Sequence, residues 1–231
     1  MIKIEHVQTY GWEAAIRGMR NPMNSWDRSD SELCKGAAGF EDCHVSPLGE
    51  CPRSNDFQED VFCIGSNDLT LMKKLYNGGS VHRKYMRMIF VSMDITAPLY
   101  WWKEFDTYKV GTVANSCSTM HRIHSKEFTM SDFSTEHLST VSLMYLHSLI
   151  EHLNFEREVF NGDKSNKAAW WQMIQLLPSS YNQKRTVTFS YENVAEFIKW
   201  RTGHKLDEWN DLVAVLWDLP YVKELLGKEE S

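Results

Sequence analysis

The chain has 231 residues, 42% of them hydrophobic and 24% charged, with a formal net charge of −6. That length and balance suit one sizeable core, with a single domain as the default organisation, and exclude fibrous and low-complexity classes. The acidic balance argues against a general nucleic-acid binder, and no apolar run is long enough to cross a membrane, whereas a small anionic substrate needs only a local basic pocket.

Residues 2 to 8 alternate Ile2, Ile4 and His6 against Lys3 and Glu5, which is the pattern of a strand. The opening MIKIEHVQTYGW has neither the apolar stretch nor the small-residue cleavage site of a signal peptide, so a cytoplasmic protein is expected. Trp12 to Met19 reads as a short helix, with Arg20 to Ser25 (RNPMNS) as an Asn-Pro turn after it. From Trp26 to Cys63 the chain is polar, weakly periodic and longer than an ordinary loop, so it reads as an insertion or lid. Cys34, Cys43, His44, Cys51 and Cys63 fall in it, but only Cys43 and His44 are close enough to be paired ligands, and no C-x-x-C occurs. Free thiols are therefore expected, with no metal site and no disulfide framework. Asp68 to Asn77 follows as a helix with Ser66 or Asn67 as its N-cap.

The most informative stretch runs from His82 to Arg122. Met86 to Ile95 reads as a strand with one wet face, Ala97-Pro98 as its break, and Pro98 to Asp106 as a buried helix carrying Tyr100, Trp101, Trp102 and Phe105. Next come Gly111, Thr112, Ala114, Asn115, Ser116, Cys117, Ser118 and Thr119, near the cations Lys103, Lys109 and Arg122. Short side chains let backbone N–H groups approach a ligand, and hydroxyls and amides give oriented polar contacts, which suits a phosphate-bearing ligand. The plain alternative is a tight polar turn without chemistry.

Ser134 to Phe160 has apolar residues at threes and fours and reads as a long helix, with His137, His147 and His152 as surface or core fillers. Lys167 to Leu177, Glu192 to Arg201 and Leu206 to Trp217 read as further helices, Arg185 to Ser190 as a strand, and Pro220 as the start of a tail. The expected fold class is α+β: a central, mostly antiparallel sheet built from strands near residues 2, 90 and 187 and packed by long helices.

Two blocks resemble the flavin-dependent thymidylate synthases, the ThyX family. That family carries a strand, an Ala-Pro step, a short aromatic helix and a signature R-H-R-x-x-S-x-N-E-x-S-x-R. With Ala97-Pro98 set on the step, Thr107, Tyr108 and Lys109 fall on the R-H-R triplet and Thr112 on the first Ser. Admitting one extra residue, Asn115 falls on the Asn, Ser116 on the Glu, Ser118 on the second Ser and Met120 on the last Arg. Upstream, His82 matches the first His of an H-E-T-P-F-E-H-like segment, while Lys84, Met86 and Arg87 replace its Thr, Phe and second Glu. The second block is Leu177-Pro178 followed by SSYNQKRTVTFSYENVAEFIKWRTGHKLDEWN, in which Arg201 sits on a functional Arg, Phe197 on a core Phe and Trp209 near a Trp.

The resemblance implies FAD as cofactor, methylene-tetrahydrofolate and NADPH as co-substrates, and C5-methylation of deoxyuridine monophosphate within a homotetramer. It implies flavin contacts for His82, Lys84, Tyr108, Lys109, Thr112, Asn115 and Ser190. Glu104, Ser116, Cys117 and Ser118 then bind substrate, and Arg201 serves both binding and catalysis. No enzyme nucleophile is implied, which leaves Cys117 without that duty. Most of the R-H-R arginines and the signature Glu are absent here, so a diverged member is implied, and a related C5-modifying enzyme or a non-catalytic nucleotide-binding relative stays open.

Overall fold

The computed structural model describes residues 2–34 and 61–227. The elements run β1 (Lys3–Tyr10), α1 (Trp12–Arg20), β2 (Glu32–Cys34), β3 (Val61–Cys63), α2 (Ser66–Asn77), β4 (Phe90–Pro98), α3 (Leu99–Phe105), β5 (Thr112–Ser116) and α4 (Thr119–Arg122). They continue with α5 (Thr140–Gly162), α6 (Lys167–Leu176), β6 (Asn182–Ser190), α7 (Tyr191–Arg201), α8 (Asp207–Trp217) and α9 (Val222–Leu226). Four strands form an antiparallel sheet in the order β1-β4-β6-β5, and β2 pairs with β3 in a separate antiparallel ribbon. The α+β class and the strands expected near residues 2, 90 and 187 are thus present.

Several boundaries differ from the sequence expectation for identifiable reasons. Residues Arg83–Met88 form a 3₁₀ turn in place of the first part of a strand, and β4 starts at Phe90. The apolar face of β4 is Val91, Met93, Ile95 and Ala97, with Met88 and Phe90 exposed. Pro98 does not break the strand but ends it in extended conformation as the N-cap of α3. The N-cap of α2 is Gly65, and the side chain that serves the helix start is Asp30, whose carboxylate accepts from Asn67 N (2.8 Å) and Asp68 N (3.1 Å). The long helix starts at Thr140, with Ser139 as cap, and the expected tail contains α9. Of the excursion 26–63, residues Trp26–Arg28 form a 3₁₀ turn and β2 and β3 are paired, Leu33 opposite Phe62; Cys43, His44 and Cys51 lie outside the described residues.

The chain groups into two compact units. One comprises Met1–Val7, Met93–Thr188 and His204–Leu212. Its first core is aromatic: Trp101, Trp102 and Phe105 of α3 and Trp209 of α8 are all buried, with Trp101 and Trp209 centroids 4.9 Å apart. Helix α3 is fixed at its start because Leu99 N and Tyr100 N, which have no partner inside the helix, each donate at 3.0 Å to the carbonyls of Tyr181 and Ser179. A second core, Ile123, Phe128, Phe133, Leu146, Ile150, Leu153 and Met173, fills the α5–α6 hairpin. Asn154 ties the preceding loop to α5 by accepting from Phe128 N (2.9 Å) and donating to Phe128 O (2.8 Å).

The other unit comprises Gln8–Ser92, Phe189–Gly203 and Val213–Ser231. Trp12 of α1 packs edge-on against Tyr191 (4.9 Å) and Tyr221 (5.5 Å). Its polar centre is a buried ion pair, Arg20 Nε to Asp68 Oδ1 at 2.6 Å. The other Asp68 oxygen accepts from Ser29 Oγ (2.7 Å), Ser31 Oγ (2.7 Å) and Asp30 N (3.1 Å). Burial pushes the Asp68 carboxyl up, but hydrogen bonds from Ser31, Ser29 and Arg20 outweigh it and hold the pKa below its usual value. At the β1–α1 junction Gly11 has φ +88, and a Cβ there would overlap the Met88 carbonyl oxygen, so only glycine fits.

Candidate functional site

The residues singled out from the sequence divide between the two units. In the unit of β5, helix α3 buries Trp101, Trp102 and Phe105, which leaves Lys103 exposed and Glu104 half-buried at its edge. Glu104 is held from α8 and from the link before it. Trp209 Nε1 donates to Glu104 Oε2 at 3.1 Å, and His204 Nε2 lies 3.6 Å from the same oxygen. His204 Nδ1 accepts from Leu206 N at 3.2 Å, which puts the proton of the neutral ring on Nε2, facing the carboxylate. Tyr108 packs edge-on against Trp209 at 5.9 Å, so Glu104 and Tyr108 are gathered around one indole. A carboxylate oriented this way is an acceptor for an N–H donor such as the imide of a pyrimidine.

The polar run after α3 is mostly strand β5 rather than a loop. Lys109, Val113, Asn115, Ser116 and Cys117 are exposed, and Thr112 is half-buried with its hydroxyl donating to Tyr108 O. The strand sits at one edge of the sheet. Its C-terminal end is gripped by β6: Cys117 N donates to Lys184 O (2.9 Å), and Gln183 Nε2 donates to Cys117 O (2.8 Å). Ser118 turns the chain, its Oγ accepting from His121 N at 3.0 Å. What this edge offers is a row of hydroxyl and amide donors beside one lysine, a set that suits phosphate oxygens.

In the other unit His82, at the N-cap of the 3₁₀ turn Arg83–Met88, and Lys84 within that turn are exposed. The turn is pinned through the residues between and after them. Arg83 reaches Glu192 (3.4 Å) and Glu196 (3.1 Å) of α7, Arg87 pairs with Glu192, and Tyr85 OH donates to Met72 O at 2.9 Å. Burial raises the Glu192 carboxyl, but the Arg87 and Arg83 guanidiniums bring it below its usual value. Helix α7 starts on Ser190, which is buried and forms a capping box with Asn193, its Oγ donating to Asn193 Oδ1 at 2.8 Å. Its hydroxyl therefore has a structural duty. Arg201 is half-buried in the last turn, where the helix carbonyls favour a cation. Ser190 and Arg201 stand at opposite ends of the helix, about 16 Å apart, and are not brought together.

Three participants were not singled out in advance. His204 follows Gly203 in a link that carries no periodic signal. Arg185 lies over the Trp102 ring at 4.2 Å and pairs with Asp106 at 2.7 Å. Lys184 pairs with Asp94 at 2.9 Å, while Thr186 Oγ1 donates to the other Asp94 oxygen at 2.6 Å. Together, the Thr186 hydrogen bond and Lys184 hold the Asp94 carboxyl below its usual value. The period-2 pattern of β6, had it been extended back to Asn182, puts Lys184 and Thr186 on one side. Among the described residues no group of three or more His, Cys, Asp or Glu is placed to hold a metal ion, and no helix is long and apolar enough to cross a membrane.

No family profile matches the sequence, and no curated protein matches it. Solved structures do. A crystal structure of flavin-dependent thymidylate synthase ThyX from Helicobacter pylori, complexed with FAD and dUMP, matches with a TM-score of 0.59 at 15% identity, covering 97% of this chain and 97% of that one. A second structure of the same enzyme with FAD and dUMP gives a TM-score of 0.60 at 15% identity, over 98% and 97% of the two chains. The chain therefore has the fold of these enzymes along nearly its whole length.

Proposed function

We propose that the protein is a flavin-dependent enzyme of the thymidylate synthase type, acting on C5 of a deoxyuridine monophosphate. One observation carries this reading: a fold shared end to end with enzymes seen holding FAD and dUMP. The local chemistry supports it, because the β5 edge supplies neutral donors and the Lys109 charge that an anionic cofactor or nucleotide requires.

When bound, reduced FAD, renewed by NADPH, supplies the hydride, and methylene-tetrahydrofolate supplies the one-carbon unit. The chain's own residues bind and polarise. In this reading Tyr108, Lys109, Thr112 and Asn115 are flavin-binding residues, and His82 and Lys84 are assigned flavin contacts as well. Ser190 belongs to that set only through its position, because its hydroxyl is engaged in the helix cap. Ser116, Cys117 and Ser118 contact the nucleotide, while Glu104, held by Trp209 N–H, accepts from the pyrimidine imide. Arg201 donates its planar fork to the ring carbonyls, stabilising the negative charge that builds on the ring as C5 attacks. The reading includes a homotetramer in the cytoplasm. Strand β5, with Val113 71% exposed, is uncovered in a single chain, which is what a pocket completed by another subunit requires.

A non-catalytic nucleotide-binding relative is the second reading, favoured by Thr107 and Tyr108 where the family signature has Arg and His. Purified protein tests both. An oxidised-flavin absorbance band, with conversion of dUMP in the presence of the folate and NADPH, is expected. Arg201→Lys keeps the charge and loses the fork, so turnover is expected to fall roughly a hundredfold while bound flavin and melting temperature stay near the parent's. Nucleotide binding without turnover selects the second reading; failure to bind either FAD or dUMP on addition overturns both.

A further inference from the structure

Cys117 follows directly on β5, and both of its main-chain groups are held from β6, but by different kinds of partner. Its N–H donates to Lys184 O at 2.9 Å, a main-chain bond, whereas its carbonyl accepts from the side-chain amide of Gln183, Nε2, at 2.8 Å. Gln183 is buried. The two ends of a glutamine amide have nearly the same shape and opposite hydrogen-bonding character, so the end that meets the Cys117 carbonyl is decided by what meets the other. Here that is Arg185, whose Nε donates to Gln183 Oε1 at 2.9 Å. A guanidinium can only donate, so it draws the amide oxygen to itself and leaves Nε2 for the carbonyl.

Arg185 is itself fixed on a face and an edge. Its guanidinium lies over the Trp102 ring at 4.2 Å, and Nη1 donates to Asp106 Oδ1 at 2.7 Å. Trp102 is fully buried and donates from Nε1 to Gln183 O at 2.9 Å, so one indole braces both β6 residues. All of these residues lie in one unit. An Arg–Asp pair serving stability alone requires neither a set amide orientation nor a partner beside β5. If the amide turned over, Gln183 Oε1 would face Cys117 O, two acceptors with no proton between them, and the chain at Cys117 would have to move away. Ser116 and Ser118, on either side of Cys117, would move with it.

We infer that Arg185 is a positioning residue: acting through the Gln183 amide, it sets where the corner 116–118 stands for its ligand. The inference rests on the reading above, in which that corner contacts the pyrimidine nucleotide. Arg185→Met keeps a side chain over Trp102 and removes the donor, and Gln183→Met removes the amide. Each is expected to raise the Kd for dUMP, and KM with it, about tenfold, the worth of roughly one hydrogen bond, with kcat within about twofold of the parent's. Arg185→Lys still presents a donor and is expected to recover most of the loss. Because both residues act on one carbonyl, the double variant should bind no worse than the weaker single, whereas two independent contacts would multiply to about a hundredfold. Hydrogen exchange needs no ligand: over residues 112–118 it is expected to quicken at least tenfold in both Met variants, to stay slow in Arg185→Lys, and to be unchanged elsewhere. Unaltered dUMP affinity in Arg185→Met, multiplied losses in the double variant, or unaltered exchange over 112–118 overturns the inference. A parent that turns over dUMP beside variants indistinguishable from it leaves the enzymatic reading standing without this relay. A parent that binds no dUMP removes the nucleotide reading, and the exchange pattern alone then decides whether Arg185 sets the corner.

Discussion

Replacing Asp68 with Ala removes the acceptor for four donors at once: Arg20 Nε, Ser29 Oγ, Ser31 Oγ and Asp30 N. The two hydroxyls are partly accessible and can turn to water. The guanidinium cannot, because Arg20 is only 4% exposed, and the hydrogen bond it keeps to Ser25 O at 3.1 Å does not neutralise its charge. Breaking such a buried pair by deleting one partner costs about 3–5 kcal/mol, which for a chain of this size lowers the melting temperature by roughly 10–15 °C. Replacing both partners, as Arg20→Met with Asp68→Leu, is expected to cost less than Asp68→Ala alone, since no charge is left buried. The pH dependence has a definite sign. The folded-state pKa of Asp68 is depressed, so its contribution is complete above the unfolded-state value and is lost as pH falls through the folded one. The gap between parent and Asp68→Ala melting temperatures should therefore be full at neutral pH and close in acid, below about pH 4. A drop under about 3 °C at pH 7, or a gap indifferent to acid, would refute the account of a dry, charge-centred knot.

Two further outcomes are expected. Lys109→Glu reverses the charge beside β5 and should weaken FAD retention during gel filtration while leaving the unfolding midpoint unchanged; undiminished flavin binding removes Lys109 from the site. Gly11→Ala forces an L side chain into φ +88 against the Met88 carbonyl, and urea titration should show a loss of about 2–4 kcal/mol.

Elements whose burial imposes a period were legible from the sequence. The helices beginning near Trp12, Lys167, Glu192 and Leu206 lie within a residue of their expected starts, and β6 is the expected strand extended three residues back to Asn182. Strand β5 was not legible, because four of its five residues are exposed and no buried face imposes alternation. The turn at Arg83–Met88 is held by Glu192 and Glu196, and the start of α2 by Asp30; neither partner is near in sequence. Resemblance proposes candidate site residues along the chain, but their contacts needed the fold: Ser190 is a cap, Glu104 is clasped by His204 and Trp209, and only the neighbouring backbone shows which hydroxyls are engaged.

The aromatic core of the α3 unit has an optical consequence. Trp101 and Trp102 lie 4.8 Å apart with ring planes at 71°, and Trp101 and Trp209 lie 4.9 Å apart at 49°. Indole transition dipoles that close and that far from parallel couple as one chiral chromophore, giving a paired positive and negative band in circular dichroism that three isolated tryptophans lack. The band reports side-chain packing rather than helix content, so it vanishes on loosening of this core even where the helices persist. Because Glu104 touches the same indole as Tyr108, a ligand arriving at either residue perturbs the signal directly, and its binding can be followed by the protein's own colour in the ultraviolet, without label or turnover.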